Sequence, residues 1–501
     1  MKKTVFIAAI FSVLSFQLSV SQAQDAVYKL LRQEWTVNAD GTSDYHYRHE
    51  VQILRTRALT AYADKGETFV VYNPDLEKLT VNEVYTIQKD GTRIDMPQNA
   101  FVYQLPSECA DCGRFNHMRE LAMVHTGMEL GCTIVVDYTI HRQYNLIYET
   151  LPLMLDCPIE KYEVKVVYPM EMEVGFDFTG RDYLPSDKVI RTMSVTTDGE
   201  SITTPVTLTF TMTDMPQAPR ESYMPSDIVP ALHLFNGTPE FVPAFDRLGL
   251  EAAQDAAAGQ MNGNDRESIV AMRDFVVDNI HLNDIHPSHL GYTHATAAEV
   301  WQSGCGTATD KAVLLAAMLN QTGFTARVAG EESDKVGVMV DTLEYLLDVR
   351  HKTPMTLDGE ARDEVTKYTM SPDNNKPVLD TLEDGFFRLV LPTLPGAPAV
   401  RASNLPLTRT TPVQSAACEL RSDITYTLPK GMKTVKGTTS TKISHEGLGS
   451  VEISIKQSGS KLRVVRNLTL EKSLVPVADY AAYRQLLAAW QGTDSVLLRS
   501  K

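Results

Sequence analysis

Three groups of side chains in this 501-residue sequence have types and spacings that chemistry uses. The first is the six cysteines: Cys109, Cys112, Cys132, Cys157, Cys305 and Cys418. A thiolate is both a nucleophile and a metal ligand, and Cys109-Ala-Asp-Cys112 has a C-x-x-C spacing. A redox pair of that kind needs a βαβ setting. The flanks here are rich in Pro, Gly and polar residues, so the expectation is a local loop disulfide or two unrelated thiols. A zinc site at this point would recruit His117 and His125. The second group is the segment from His281 to His294, which carries four of the twelve histidines: His281, His286, His289 and His294. Zinc needs three or four convergent ligands. An H-x4-H-x2-H-x4-H spacing matches no metal motif, so a polar surface loop is expected. A metal site that adds Asp284 is the sharper alternative, and no cofactor is expected. The third group is Cys305, which precedes a helix pattern, together with Asp348 downstream.

These residues must be positioned by the elements around them. Residues 26–215 alternate apolar and polar side chains between turn signals such as Asn38-Ala-Asp-Gly41 and Lys89-Asp-Gly91, which is the pattern of short strands in a β-sandwich. Pro216, Pro219, Pro225 and Pro230 then punctuate a linker. Residues 240–323 turn helical. Asn264-Asp-Arg-Glu267 and Thr296-Ala-Ala-Glu299 have capping-box spacing, in which the fourth residue reaches back to the cap's own N–H. Ile269, Met272, Phe275, Val276 and Ile280 follow at helical spacing. A third helix is expected from about Ala308 to Thr322, with Leu315, Met318 and Leu319 as its apolar stripe and Gly323 ending it. Two short strands follow, Val336–Val340 and Leu343–Val349. From about residue 376 the pattern is β again, and Tyr480 to Trp490 reads as a closing amphipathic helix.

The order helix, Cys-bearing turn, helix, strand, strand is that of a papain-like or transglutaminase-like core. Such a core places a Cys at a helix amino terminus, where the dipole lowers the thiol pKa. It needs a His on a following strand and an Asp on the next to orient it. The run Ala298-Glu-Val-Trp301, then Gly306-Thr-Ala-Thr-Asp-Lys-Ala312, Leu314-Leu315 and Gly323-Phe-Thr-Ala326 resembles a family of exported bacterial proteins. In that family an amino-terminal β-sandwich domain of unknown function precedes a transglutaminase-like core and a carboxy-terminal β-domain. Gly131-Cys-Thr-Ile-Val-Val-Asp-Tyr138 is similar to its amino-terminal domain. The resemblance implies a catalytic Cys at the position of Ala308 and a His at or near Val336. Asp348, in Tyr345-Leu-Leu-Asp348, takes the orienting role. Ala308 has no nucleophile, and no His lies between His294 and His351. His351, three residues past Asp348, reads as badly placed to serve as base. Cys305 lies three residues before Ala308, and Asp310 and Lys311 read as ordinary first-turn and surface residues. Nucleophile and base are thus both absent at their coupled positions.

The composition bounds the remaining possibilities. The chain is 43% hydrophobic and 22% charged, which is globular. Its net charge of −16 argues against nucleic acid as a partner and, more weakly, against anionic lipid. Residues 1–23 carry Lys2 and Lys3, an apolar run from Val5 to Leu18, and small residues at Ser21 and Ala23. This is the layout of a cleaved signal peptide, too short to span a membrane. Cleavage takes the charge to −18. The expected fold class is α+β multidomain: signal peptide 1–23, β-sandwich 24–215, Pro-rich linker 216–239, transglutaminase-like core 240–360, β-domain 361–475, and terminal helix and tail 476–501. The expected protein is exported, periplasmic or extracellular, with no membrane span after cleavage. It is a non-catalytic binder or scaffold for a peptide, a protein or a cell-envelope glycan. The alternative is a cysteine-dependent acyl-transfer enzyme using Cys305, with a base from the His281–His294 segment.

Overall fold

The structure is a computed structural model. It describes residues 24–501 apart from 60–64, 181–188, 196–204, 226–227, 238–249, 331–335, 344–345, 353, 356–365, 371–377, 392–404, 416, 436–440, 492–494 and 501. The expected signal peptide and Tyr345 lie outside the described residues.

The alternating amino-terminal stretches form strands β1 Ala26–Val37, β2 Ser43–Ile53, β3 Glu67–Tyr72, β4 Glu77–Ile87, β5 Arg93–Asp95, β6 Phe101–Gln104 and β7 Arg119–Val124. They continue as β8 Thr133–Arg142, β9 Tyr148–Pro152, β10 Ile159–Pro169, β11 Gly175–Thr179, β12 Val189–Val195, β13 Pro205–Met215 and β14 Ala231–Phe235. Eight make one sheet in the order β12-β13-β10-β1-β2-β8-β4-β5. Two three-stranded sheets, β11-β14-β9 and β3-β7-β6, pack on one of its faces. Period-two alternation fills the space between them. Val164 and Val166 of β10, Leu208 and Phe210 of β13, and Ile134 and Val136 of β8 all point into one core with Trp35. The stretch read as a linker is only partly one. Within it, Ala231–Phe235 pairs with both β9 and β11, because Leu232 and Leu234 alternate inward and are fully buried.

Two histidines of this sandwich are buried. Burial holds His49 down at about 3 and His125 at about 4, below the ordinary value near 6.5. Both are therefore neutral when folded, while the unfolded chain binds protons below about pH 6.5. The unfolded state then gains protons as pH falls, so folding stability drops by about 1.4 kcal/mol per pH unit for each histidine between pH ~6.5 and those values. Urea midpoints measured at pH 7, 6 and 5 are expected to fall steadily. A flat profile would contradict the assignment.

The middle of the chain forms α1 Glu251–Gly259, α2 Asp265–Asn279, β15 His281–Leu282, α3 Ala297–Ser303, β16 Cys305–Gly306 and α4 Ala308–Gln321. Strands β17 Ala326–Ala329, β18 Gly337–Val340, β19 Leu346–Asp348 and β20 Pro354–Met355 then make an antiparallel sheet in chain order. The capping box at Thr296 and Glu299 forms as read. At α2 the cap differs. Asn264 accepts from Glu267 N, but the Glu267 carboxylate meets the Asn264 side-chain amide, because Asn262 Oδ1 already takes the Asn264 N–H. Helix α4 is buried from Ala308 to Leu319 rather than along one stripe. It runs through the middle, between the other helices and the β17–β20 sheet, so an all-round apolar helix is what its setting requires.

In the carboxy-terminal part, Thr366–Met370, Cys418–Thr427, Lys461–Leu470, Gly449–Ser458 and Thr441–His445 make a five-stranded sheet in that order. Helix α5 Tyr480–Gln491 packs Tyr483, Leu486, Leu487 and Trp490 into its core. The last residues are more than a tail. Ser495–Ser500 is a strand between Phe386–Val390 and Met432–Thr434 in a separate four-stranded sheet. This β-part is held to the stretch before the core: Arg409 donates to the Ser222 carbonyl at 2.6 Å, and Gln414 N donates to the Tyr223 carbonyl at 2.7 Å. No helix among the described residues is long and apolar enough to cross a membrane.

Candidate functional site

The site begins at the amino terminus of α4. Thr307 is the N-cap, its hydroxyl accepting from Asp310 N at 3.2 Å while the Asp310 carboxylate accepts from Thr307 N at 2.9 Å. Ala308 is therefore the first residue of the helix, the place where a helix dipole would activate a thiol. A buried methyl group stands there.

Asp310 does more than cap. It is fully buried. Its Oδ1 accepts from Ala295 N at 2.6 Å, and Arg114 of the sandwich donates to Oδ2, the capping oxygen, at 3.1 Å. Lys311 is buried as well, donating to the Ile280 carbonyl at 2.8 Å. Burial lowers its pKa to about 8. Reading these two as first-turn and surface residues is thus corrected. An entirely internal helix has no surface side, so its polar residues serve neighbouring chain ends: Asp310 holds the strap before α3, and Lys311 ties off the carboxy terminus of α2.

Asp348 ends β19 opposite Gly337 of β18. The strand position facing the carboxylate therefore carries no side chain, and Val336 beside it is fully buried. A Cβ on Gly337 would lie 2.9 Å from the Leu347 carbonyl oxygen. Gly337→His, the substitution that would put a base there, is expected to cost about 1–3 kcal/mol through overpacking. Unchanged thermal stability would contradict this. Asp348 does have a histidine. The chain turns back after β19, with Arg350 N donating to Asp348 Oδ1 at 2.7 Å. That turn brings His351 Nδ1 within 3.1 Å of Asp348 Oδ2. The His351 ring is 73% exposed. Its placement is better than sequence spacing implied, because a tight turn folds residue i+3 over residue i.

Cys305 is not a free thiol. It is bonded to Cys112, 193 residues away, and is 1% exposed. Cys109 remains a thiol, and so do Cys132, Cys157 and Cys418, all buried. Cys109, Cys112 and Cys305 share one apolar cluster with Phe115, Met118 and Ile285. The C-x-x-C run is thus neither a local loop disulfide nor a zinc site. It belongs to a loop of the sandwich that covers the turn leading into α4. Asn283 Nδ2 also donates to the Glu108 carbonyl at 2.8 Å, and β15 and β16 lie beneath it, pairing His281 with Cys305.

The histidine segment is the rest of this seam. His289 Nδ1 is 3.0 Å from Glu77, which also takes Arg142 Nε at 3.2 Å and is fully buried. Asn73 donates to the His289 carbonyl at 2.7 Å, and Tyr144 donates to the Ser288 carbonyl. His286 faces Glu149 at 3.8 Å and Ser288 Oγ at 2.7 Å. Ser288, His286 and Glu149 have the residue types of a hydrolytic triad. Ser288, however, is 2% exposed, so no substrate carbonyl can reach its hydroxyl. No group of three or more candidate metal ligands occurs among the described residues. The segment is part surface loop and part interface strap: His281 and His286 are exposed, while His289 and the Ser288 and His289 carbonyls are matched by Glu77, Tyr144 and Asn73 of the sandwich. A small hollow of about 20 Å3, room for a single water, lies where the strap meets α4. Leu290, Tyr292, His294, Thr307 and Thr309 are among its lining residues.

Two family models match the chain. Residues 39–216 match DUF3857 and residues 389–497 match DUF3858, each a domain of unknown function with a solved structure. They flank the segment that carries α1 to α4. No curated protein matches the chain. Among solved structures, a Parabacteroides distasonis protein provisionally described as a protease is similar, with 26% identity and a TM-score of 0.79. The match covers 95% of this chain and 99% of that one. An M1 zinc metallopeptidase from Deinococcus radiodurans matches at 10% identity over 60% of this chain and 64% of its own, with a TM-score of 0.21. That likeness carries no argument. The amino-terminal and carboxy-terminal parts of the sequence resemblance are thereby found as two named domains.

Proposed function

We propose that the chain is an exported, non-catalytic protein built on a transglutaminase-like core, in which the seam between sandwich and core binds or scaffolds a peptide, a protein or an envelope glycan. One observation carries this reading: the first residue of α4 is Ala308, and the residue facing Asp348 across the sheet is Gly337. A nucleophile and a base are missing at the two positions such a core uses, while caps, buried helix and sheet are kept.

A second reading rests on the His351–Asp348 pair and on Cys305 as displaced nucleophile. In it, reducing the disulfide would free the thiol. Incubation with a fluorescent primary amine and a glutamine-rich protein, with and without dithiothreitol, separates the two. The non-catalytic reading expects no amine incorporation and no peptide release in either arm. Incorporation that appears on reduction and vanishes in Cys305→Ser and His351→Ala would replace it with the enzyme.

A further inference from the structure

The net charge of −16 is unevenly distributed. Residues 401–501 hold 15 Lys and Arg against 7 Asp and Glu, a net of +8, which leaves −24 on the first 400 residues. The fold gathers much of this excess at one end of the carboxy-terminal β-part. Strand Cys418–Thr427 runs from Cys418, near the stretch bonded to residues 222–223, to Thr427. At about 3.4 Å per residue, the Thr427 end is roughly 30 Å from that attachment.

Two turns meet at this distal end. Leu428 N donates to the Ser460 carbonyl at 2.8 Å, Gln457 Nε2 to the Met432 carbonyl at 2.9 Å, and Thr434 N to Gln457 Oε1 at 2.8 Å. They bring Lys430 and Lys433 beside Lys456, Lys461 and Arg463, and Lys433 pairs directly with Arg499. All six are exposed. Among the described residues, only Arg463 of the six has a carboxylate partner, Asp423. Two of the cross-strand pairs, Lys433 with Arg499 and Lys456 with Arg463, set like charges opposite each other. Folding alone disfavours such pairs. Glu383 and Asp384, in the turn before Phe386, are the acids nearest Arg499 in the strand register.

We infer that these joined hairpin tips dock the protein on an anionic phospholipid surface. The acidic remainder of the chain does not cancel the field there, because 30 Å is several Debye lengths at physiological salt, where the length is about 8 Å. Four of the six cations are lysines, whose mobile point charges suit an array of lipid phosphates better than a single bidentate anion. Clusters of four to eight such residues are the usual footprint of anionic-lipid binding. The whole-chain charge, which argued against lipid, averages over this local excess. The inference is independent of whether the core is catalytic.

The test is sedimentation of the full chain with vesicles of phosphatidylglycerol and, separately, of phosphatidylcholine. Binding is expected to phosphatidylglycerol only and to be reversed by raising NaCl to about 0.5 M. Each lysine removed is expected to weaken partitioning about five-fold. The variant Lys430→Ala/Lys433→Ala/Lys456→Ala/Lys461→Ala is therefore expected to stay in solution. Its thermal melt should match or exceed wild type, since like-charge pairs are removed. The amino-terminal 23 residues are common to both proteins and cancel in the comparison. Equal binding to both lipids, unchanged binding of the variant, or no binding at low salt would overturn the inference. So would salt-sensitive self-association without vesicle binding, which would assign the patch to an acidic face of a second copy.

Discussion

Replacing Cys305 by Ser lowers the free energy of unfolding by roughly 3–5 kcal/mol. The disulfide closes a loop of 193 residues, and in the chain-entropy account a loop of that length loses close to the upper end of what cross-links contribute. The bond also ties the sandwich loop to the turn before α4 within one shared apolar cluster, so its loss frees the seam as well as the unfolded chain. Cys112→Ser is expected to cost the same, and the double variant no more than either single one, because one bond is lost in all three. Cys109 shares the cluster and sharpens the reading. If it takes over as partner, Cys112→Ser is spared and Cys305→Ser is not. Urea denaturation under non-reducing conditions reads all of these. Independent, additive losses would show that the two sulfurs act separately.

Asp310→Ala is the second large effect, expected at about 3–5 kcal/mol. The carboxylate is fully buried and accepts from Ala295 N, Thr307 N and Arg114. Removing it leaves the buried Ala295 N–H, the partly buried Thr307 N–H and a partly buried guanidinium without their acceptor, and removes one arm of a capping box. Arg114→Gln, which strips only the partly exposed partner, is expected to cost about 1 kcal/mol. A loss for Asp310→Ala below about 1 kcal/mol, measured the same way, would mean that the cap and the strap are held by something else.

These two residues also show what the sequence disclosed and what it withheld. The helix start at Ala308 was legible because Thr307 and the acid three residues on are local signals, as were Thr296 and Glu299. The β-sandwich was legible from period-two alternation in stretches such as Val206–Met212. What could not be read were contacts between distant segments. Nothing near Cys305 announces Cys112, and nothing in Asp310 distinguishes a solvated first-turn carboxylate from one that receives a guanidinium from the sandwich. The histidine segment looked like a loop because its partners, Glu77, Arg142 and Tyr144, are scattered through another domain. One signal was available for Asp310. A helix with apolar residues on every side has no wet face, so its charged residues must find buried partners. His351 is a different case: three residues on from Asp348 in sequence, it is brought back to the carboxylate by the turn at Arg350, which local spacing does not disclose. A whole-chain charge likewise does not disclose the carboxy-terminal excess of Lys and Arg, since a sum carries no positions.

The central claim is that the turn before α4 is sealed and has no reactive thiol. Site-resolved alkylation of the native protein with iodoacetamide from about pH 5 to 9, each cysteine followed by mass spectrometry, tests it most directly. The account predicts that Cys305 and Cys112 stay unlabelled across the whole range until the chain is both reduced and unfolded. Rapid labelling of Cys305 in the folded protein below about pH 7 would mean a free thiolate stabilised well under the ordinary thiol value near 8.5. That result would contradict the account and return the core to the enzymes.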